Sequence, residues 1–107
     1  MPSGSSLPER TSGRTLVTIC TYNERENISR LIPLILESLP AADILVVDDN
    51  SPDGTAEVTR EFGRQDPRVL LLLRTTKEGL GAATLAGLQS AIDHGYEFVL
   101  NMDADFS

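Results

Sequence analysis

The chain has 107 residues, enough for one domain with a single core. With 40% hydrophobic and 23% charged residues it has the composition of an ordinary globular domain. Its net charge of −7, from 9 basic and 16 acidic residues, argues against a general nucleic-acid binder, which needs a basic footprint to replace counterions. The same excess means that a phosphate-bearing ligand would need a metal ion or a local basic group to offset repulsion.

Residues 1–14 (MPSGSSLPERTSGR) are polar and rich in Pro, Gly and Ser. They read as a disordered lead-in to a domain spanning 15–107, and they lack the apolar stretch of a secretory signal. No apolar run is long enough to span a bilayer. Cys20 is the only cysteine, which excludes an internal disulfide and fits a cytoplasmic setting. It reads as a small buried hydrophobe.

Thr15–Cys20 is a β-branched run and the first expected strand. A helix should follow, capped by Asn23 with Glu26 three residues on. Ile28, Leu31, Ile32, Ile35 and Leu39 share one face at helical spacing. Pro33 should kink or divide that helix. Asp43–Asp48 carries a second strand, apolar on both faces as in a buried parallel sheet. Ser51-Pro52-Asp53 should start the next helix, with Val58 and Phe62 on its apolar stripe and Gly63 closing it.

Val69–Leu73 is expected to be a third buried strand, and Leu80–His94 a third helix. In that helix Leu85, Leu88 and Ile92 are expected to face inward, beside Gly and Ala residues that permit close approach. Gly95 should end it, and Phe98–Met102 is the fourth strand. Alternation of this kind predicts an α/β, Rossmann-like parallel sheet with helices on both faces.

Ligands of open α/β sheets bind beyond the carboxyl ends of the strands. Three of the four expected strands run into polar clusters there: Thr21-Tyr22-Asn23-Glu24, Asp48-Asp49-Asn50-Ser51 and Asp103-Ala104-Asp105. Each cluster alone also reads as turn, cap or solvated strand-end chemistry. Together they put five carboxylates on one rim, where they repel unless a cation or hydrogen-bond donors neutralise them. Asp103 and Asp105, at i and i+2 of an extended strand, point to the same side and can address one divalent ion. Carboxylate oxygens suit Mg²⁺ or Mn²⁺. Tyr22 is either a half-buried aromatic or a surface for a base. Lys77 reads as solvated, and His94 is a commonplace surface residue with no assigned role.

The segments Thr21–Ile28 (TYNERENI), Val46–Thr55 (VVDDNSPDGT), Lys77–Ala83 (KEGLGAA) and Met102–Ser107 (MDADFS) resemble, in order and spacing, the N-terminal half of polyprenyl (dolichyl) phosphate mannosyltransferases. These are inverting family 2 glycosyltransferases with a GT-A-type fold, and the resemblance covers residues 15–107. It implies that the Cys20 backbone and the Tyr22 and Glu24 side chains hold the nucleotide. It further implies that Val47 and Asp49 meet base and ribose, and that Ala104 lies against the nucleotide. Asp103 and Asp105 would be the catalytic D-x-D acids bridging Mg²⁺ or Mn²⁺ to the donor diphosphate, with Ser107 a third metal-side ligand. Cys20 stands where the family commonly has proline.

The implied donor is GDP-mannose, with UDP-glucose possible. The implied acceptor is a polyprenyl phosphate at the cytoplasmic face of a membrane. Because the sequence stops just after the D-x-D motif, the 107 residues alone are expected to be inactive and to leave an exposed sheet edge. Two alternatives remain: a receiver-like phosphoacceptor domain opening at Ile44–Asn50, and a non-catalytic nucleotide-binding domain. "TYNERENI" has no place in a receiver, and the interval from Asp49 to Asp103 is several residues too long for one.

Overall fold

A computed structural model describes residues 14–75 and 80–104, apart from the side chains of Leu80 and Asp103. The elements alternate: β1 (Thr15–Thr21), α1 (Arg25–Ser38), β2 (Asp43–Asp48), α2 (Thr55–Gln65), β3 (Val69–Leu73), α3 (Leu80–Asp93) and β4 (Phe98–Asp103). All strand pairs are parallel, in the order β3-β2-β1-β4. That order disposes of the receiver alternative. In the flavodoxin-like order of receiver domains, the strand bearing the phosphoacceptor lies directly beside the first strand. Here β1 stands between β2 and β4.

Side-chain alternation divides the core in two. Val17, Ile19, Ile44 and Val46 face α1 and α2, where Ile28, Leu31, Ile32 and Ile35 are buried with them. Leu16, Leu45 and Val47 face α3 and meet Ala83 and Ala91. The expected stripe on α1 is therefore correct at four positions. The fifth, Leu39, is exposed at the C-cap. Pro33 does not divide α1: it sits on the exposed side of one continuous helix.

Three further expectations need correction. Asn23 does not cap α1. It adopts a positive φ of 59°, and Glu24 occupies the cap position without a side-chain cap bond. The next helix starts at Thr55, not at Ser51-Pro52, and Gly63 lies inside it, not at its end. In α3 the faces are reversed: Leu85 and Ile92 are 67% and 72% exposed, Leu88 is also exposed, and the small residues pack on the sheet. A Cβ on Gly87 would stand 3.2 Å from Thr18 Cγ2. This is a helix pressed so close that its packed face must be small.

Gly95 ends α3 as expected, with φ of 77° and the Tyr96 N–H returning to Ala91 O at 3.0 Å. β3 is an edge strand rather than a buried one; only Val69 is buried, and Leu70 and Leu73 are exposed. β4 forms the other edge, with Phe98, Val99 and Leu100 exposed, which is the open edge anticipated. Arg14 belongs to the ordered part: its guanidinium pairs with buried Asp43 at 2.8 Å, and Tyr96 Oη donates to the same carboxylate at 2.6 Å. Residues 1–13 lie outside the described residues. No helix among the described residues is long and apolar enough to cross a membrane.

Candidate nucleotide-binding rim

Register brings the expected site residues together. Cys20 is level with Val47 on one side and with Asp103 on the other, so the three form a lateral row across the sheet. The next row is Thr21, Asp48 and Leu73. Asn23 and Asn50 then turn the chain off β1 and β2 with positive φ, 59° and 62°, a conformation asparagine tolerates better than most side chains.

Asp48 is fully buried and holds the two loops together. Its Oδ1 accepts from Thr21 Oγ1 at 2.7 Å and from Ser51 Oγ at 2.6 Å, while Oδ2 accepts from the Ser51 N–H at 2.9 Å. Ser51 Oγ in turn accepts from the Asn23 N–H at 2.8 Å. Asp53 makes a second bracket. It accepts from the Thr55 N–H at 3.0 Å and from the Arg25 N–H at 3.1 Å, and Glu24 N–H donates to Thr55 Oγ1 at 3.1 Å. Burial alone would raise the Asp53 pKa. The hydrogen bonds from Thr55 and Arg25 outweigh it and hold the carboxyl below the ordinary aspartate value.

Helix N-termini in nucleotide-binding α/β folds commonly take phosphate. The N-terminus of α1 is instead filled by Asp53 and flanked by Glu24 and Glu26, so an anion would meet repulsion there. Glu24 itself is half-buried and accepts from Asn27 Nδ2 at 2.9 Å.

Tyr22 is exposed beside this rim, and the Val47 side chain is fully buried against α3, so only its backbone faces the rim. Cys20 is half-buried, with Sγ 3.7 Å from Thr84 Oγ1. The Ala104 methyl is buried in the α1/α2 core. Asp49 is buried beside Arg74, Nε to Oδ1 at 3.5 Å. The Asp103 side chain, Asp105, Ser107 and Lys77 lie outside the described residues. His94, just past the end of α3, is exposed with Nδ1 2.8 Å from Ser90 O.

Of the five rim carboxylates, Asp48 is neutralised by donors, Asp49 by a cation, and Glu24 lies with Asn27. The other two, Asp103 and Asp105, have side chains outside the described residues. Sequence reasoning missed Thr21, Ser51, Asp53 and Thr55 as loop brackets, and it missed Arg74. The signal for Arg74 was available, because it follows β3, a strand parallel to the others, and so must reach the same rim.

A polar rim at the carboxyl ends of a parallel α/β sheet is a candidate ligand site, and comparison with known proteins places the chain more closely. The glycosyl transferase family 2 model matches residues 16–107. The chain is 48% identical over 99 residues to a polyprenol monophosphomannose synthase from Mycolicibacterium smegmatis, covering 92% of this chain and 37% of that protein. It is 44% identical over 94 residues to an undecaprenyl-phosphate mannosyltransferase from Micrococcus luteus, covering 88% and 39%. Among solved structures, the mannosyltransferase PcManGT from Pyrobaculum calidifontis in complex with GDP-Man and Mn²⁺ superposes with a TM-score of 0.70 at 31% identity, over 88% of this chain and 28% of that one. The chain belongs to glycosyl transferase family 2, and its four-stranded parallel sheet with flanking helices matches a GT-A fold. It spans well under half the length of these relatives.

Proposed function

We propose that these residues form the donor-nucleotide side of a mannosyltransferase that moves mannose from GDP-mannose to a polyprenyl phosphate. The observation that carries this reading is the likeness to a mannosyltransferase structure holding GDP-Man and Mn²⁺, together with two relatives named for polyprenyl phosphate mannosylation. The rim geometry supports it independently. With the α1 N-terminus already filled by Asp53, a diphosphate needs its positive partner elsewhere on the rim.

Asp103 and Asp105, with Ser107 beside them, supply the hard-oxygen donor set that Mg²⁺ or Mn²⁺ prefers. When bound, the ion neutralises the diphosphate and stabilises it as a leaving group. Tyr22, Glu24, Asp49 and the Cys20, Val47 and Ala104 backbones hold the nucleoside. The acceptor phosphate is already anionic near neutral pH, so the attacking oxygen needs no strong general base. A polyprenyl acceptor implies work at a membrane surface, and we infer the cytoplasmic face.

Thermal unfolding with GDP or UDP, each with Mn²⁺, Mg²⁺ or chelator, tests the donor side. Ligand that binds only the folded state raises the melting temperature. Expected is a shift with GDP that requires a divalent ion and exceeds that with UDP. No shift with either nucleotide would sink the reading.

A further inference from the structure

Among the described residues, the Asp49 carboxylate is the one buried acid on the rim that ties no loop down. Asp48, its neighbour, accepts three hydrogen bonds from Thr21 and Ser51. Asp49 is only 5% exposed, and its Oδ1 is sealed from solvent with no hydrogen-bond partner. The cation facing it is Arg74, with Nε 3.5 Å from Oδ1 and both side chains largely buried. At that distance the contact is Coulombic rather than a good hydrogen bond.

Burying a charged group is costly unless it is paired, so the guanidinium and the carboxylate compensate each other at this depth. Arg74 is also well anchored. Its N–H donates to Asp48 O at 2.8 Å, which continues the β2–β3 ladder one residue past Leu73. The guanidinium is therefore launched from a sheet position rather than from the following loop.

We propose that Arg74 is a positioning residue for nucleoside recognition: it draws Asp49 Oδ1 inward and so turns Oδ2 outward, where it accepts a hydrogen bond from an N–H or O–H of the nucleoside. This rests on the donor-nucleotide reading above. A carboxylate held by charge on one oxygen keeps the other as a strong, correctly aimed acceptor. Without the guanidinium the same carboxylate would turn toward water, and that change removes the acceptor.

The test measures GDP affinity in Mn²⁺ by calorimetry, and the melting temperature without nucleotide, for the wild type, Arg74→Lys, Arg74→Met, Asp49→Asn and the Asp49→Asn/Arg74→Met double variant. Arg74→Met should weaken binding about ten-fold or more, the scale of a hydrogen bond to a charged group. Arg74→Lys should restore most of it. Asp49→Asn should weaken it comparably, and adding Arg74→Met to Asp49→Asn should cost little more, because the two residues act as one unit. Should Arg74→Met fail to fold, Arg74→Gln carries the same test without the charge.

Unchanged affinity in folded Arg74→Met, or fully additive losses in the double variant, would overturn the proposal. So would a lowered melting temperature with affinity intact, since that is a purely structural role. If the wild type binds no GDP, the donor-side reading itself fails, and the proposal with it, before any substitution is compared.

Discussion

The two faces of the sheet are covered by opposite strategies. On one, α1 and α2 bring large side chains, and Ile28, Ile32, Ile44 and Val46 are sealed from solvent together. On the other, α3 contributes Ala83, Gly87 and Ala91, and approaches until Gly87 sits over Thr18. The first face gains stability from buried apolar area, which scales with side-chain size. The second gains it from backbone proximity, which large side chains would prevent. A substitution should thus have different consequences according to the face it touches.

The largest effect is expected on the first face. Ile32→Ala removes a fully buried side chain between α1 and the sheet, and should cost about 2–5 kcal/mol in urea unfolding. A loss below 1 kcal/mol would show that this face can collapse around a void. On the second face the damaging direction is the reverse. Gly87→Val should cost about 1–3 kcal/mol, because its Cβ meets Thr18 and Val47 side chains within 3.2–3.6 Å. Equal tolerance of valine and glycine at 87 would mean that α3 is not pressed on the sheet.

The difference between faces also explains what could be seen without a structure. The stripe on α1 was legible because large apolar residues at helical spacing mark a buried face when the helix packs at ordinary distance. In α3 the same rule pointed to Leu85, Leu88 and Ile92, and failed, because the buried stripe there is Ala and Gly. Hydrophobic size carries no information where closeness decides. Strand positions, the parallel sheet and the three polar clusters were legible, since alternation and strand ends follow from local sequence. The brackets were not. Asp48 with Thr21, and Asp53 with the Arg25 N–H, join residues more than 25 positions apart, and only register brings them together. Arg74 escaped because a single arginine after an edge strand does not stand out as a cluster does.

A smaller effect should appear at the joint between α1 and α2. Asp53→Ala removes the acceptor for the Arg25 and Thr55 N–H groups and should cost about 1 kcal/mol, the usual scale of a helix cap. Because the folded Asp53 pKa lies below its ordinary value, its contribution is complete above about pH 3.8. It is lost as the pH falls below that through the folded value. The wild-type and alanine proteins should therefore converge in stability in acid; a gap that persists at low pH would assign the loss to packing instead.

The smallest effects belong to the outer side of α3, and they separate the two strategies most cleanly. Gly81, in the first turn of α3, has open space where a Cβ would stand, so Gly81→Ala should stabilise by about 0.5–1 kcal/mol through helix propensity alone. Its sign is opposite to that at Gly87, six residues along the same helix. Leu85→Ser and Ile92→Ser should each change stability by within about 0.5 kcal/mol, because those side chains are already mostly in water. A loss of 2 kcal/mol or more at either position would mean that the leucine or isoleucine is buried in solution. If that loss also depended on protein concentration, it would identify a second copy as what buries it, since only an association equilibrium ties unfolding to concentration.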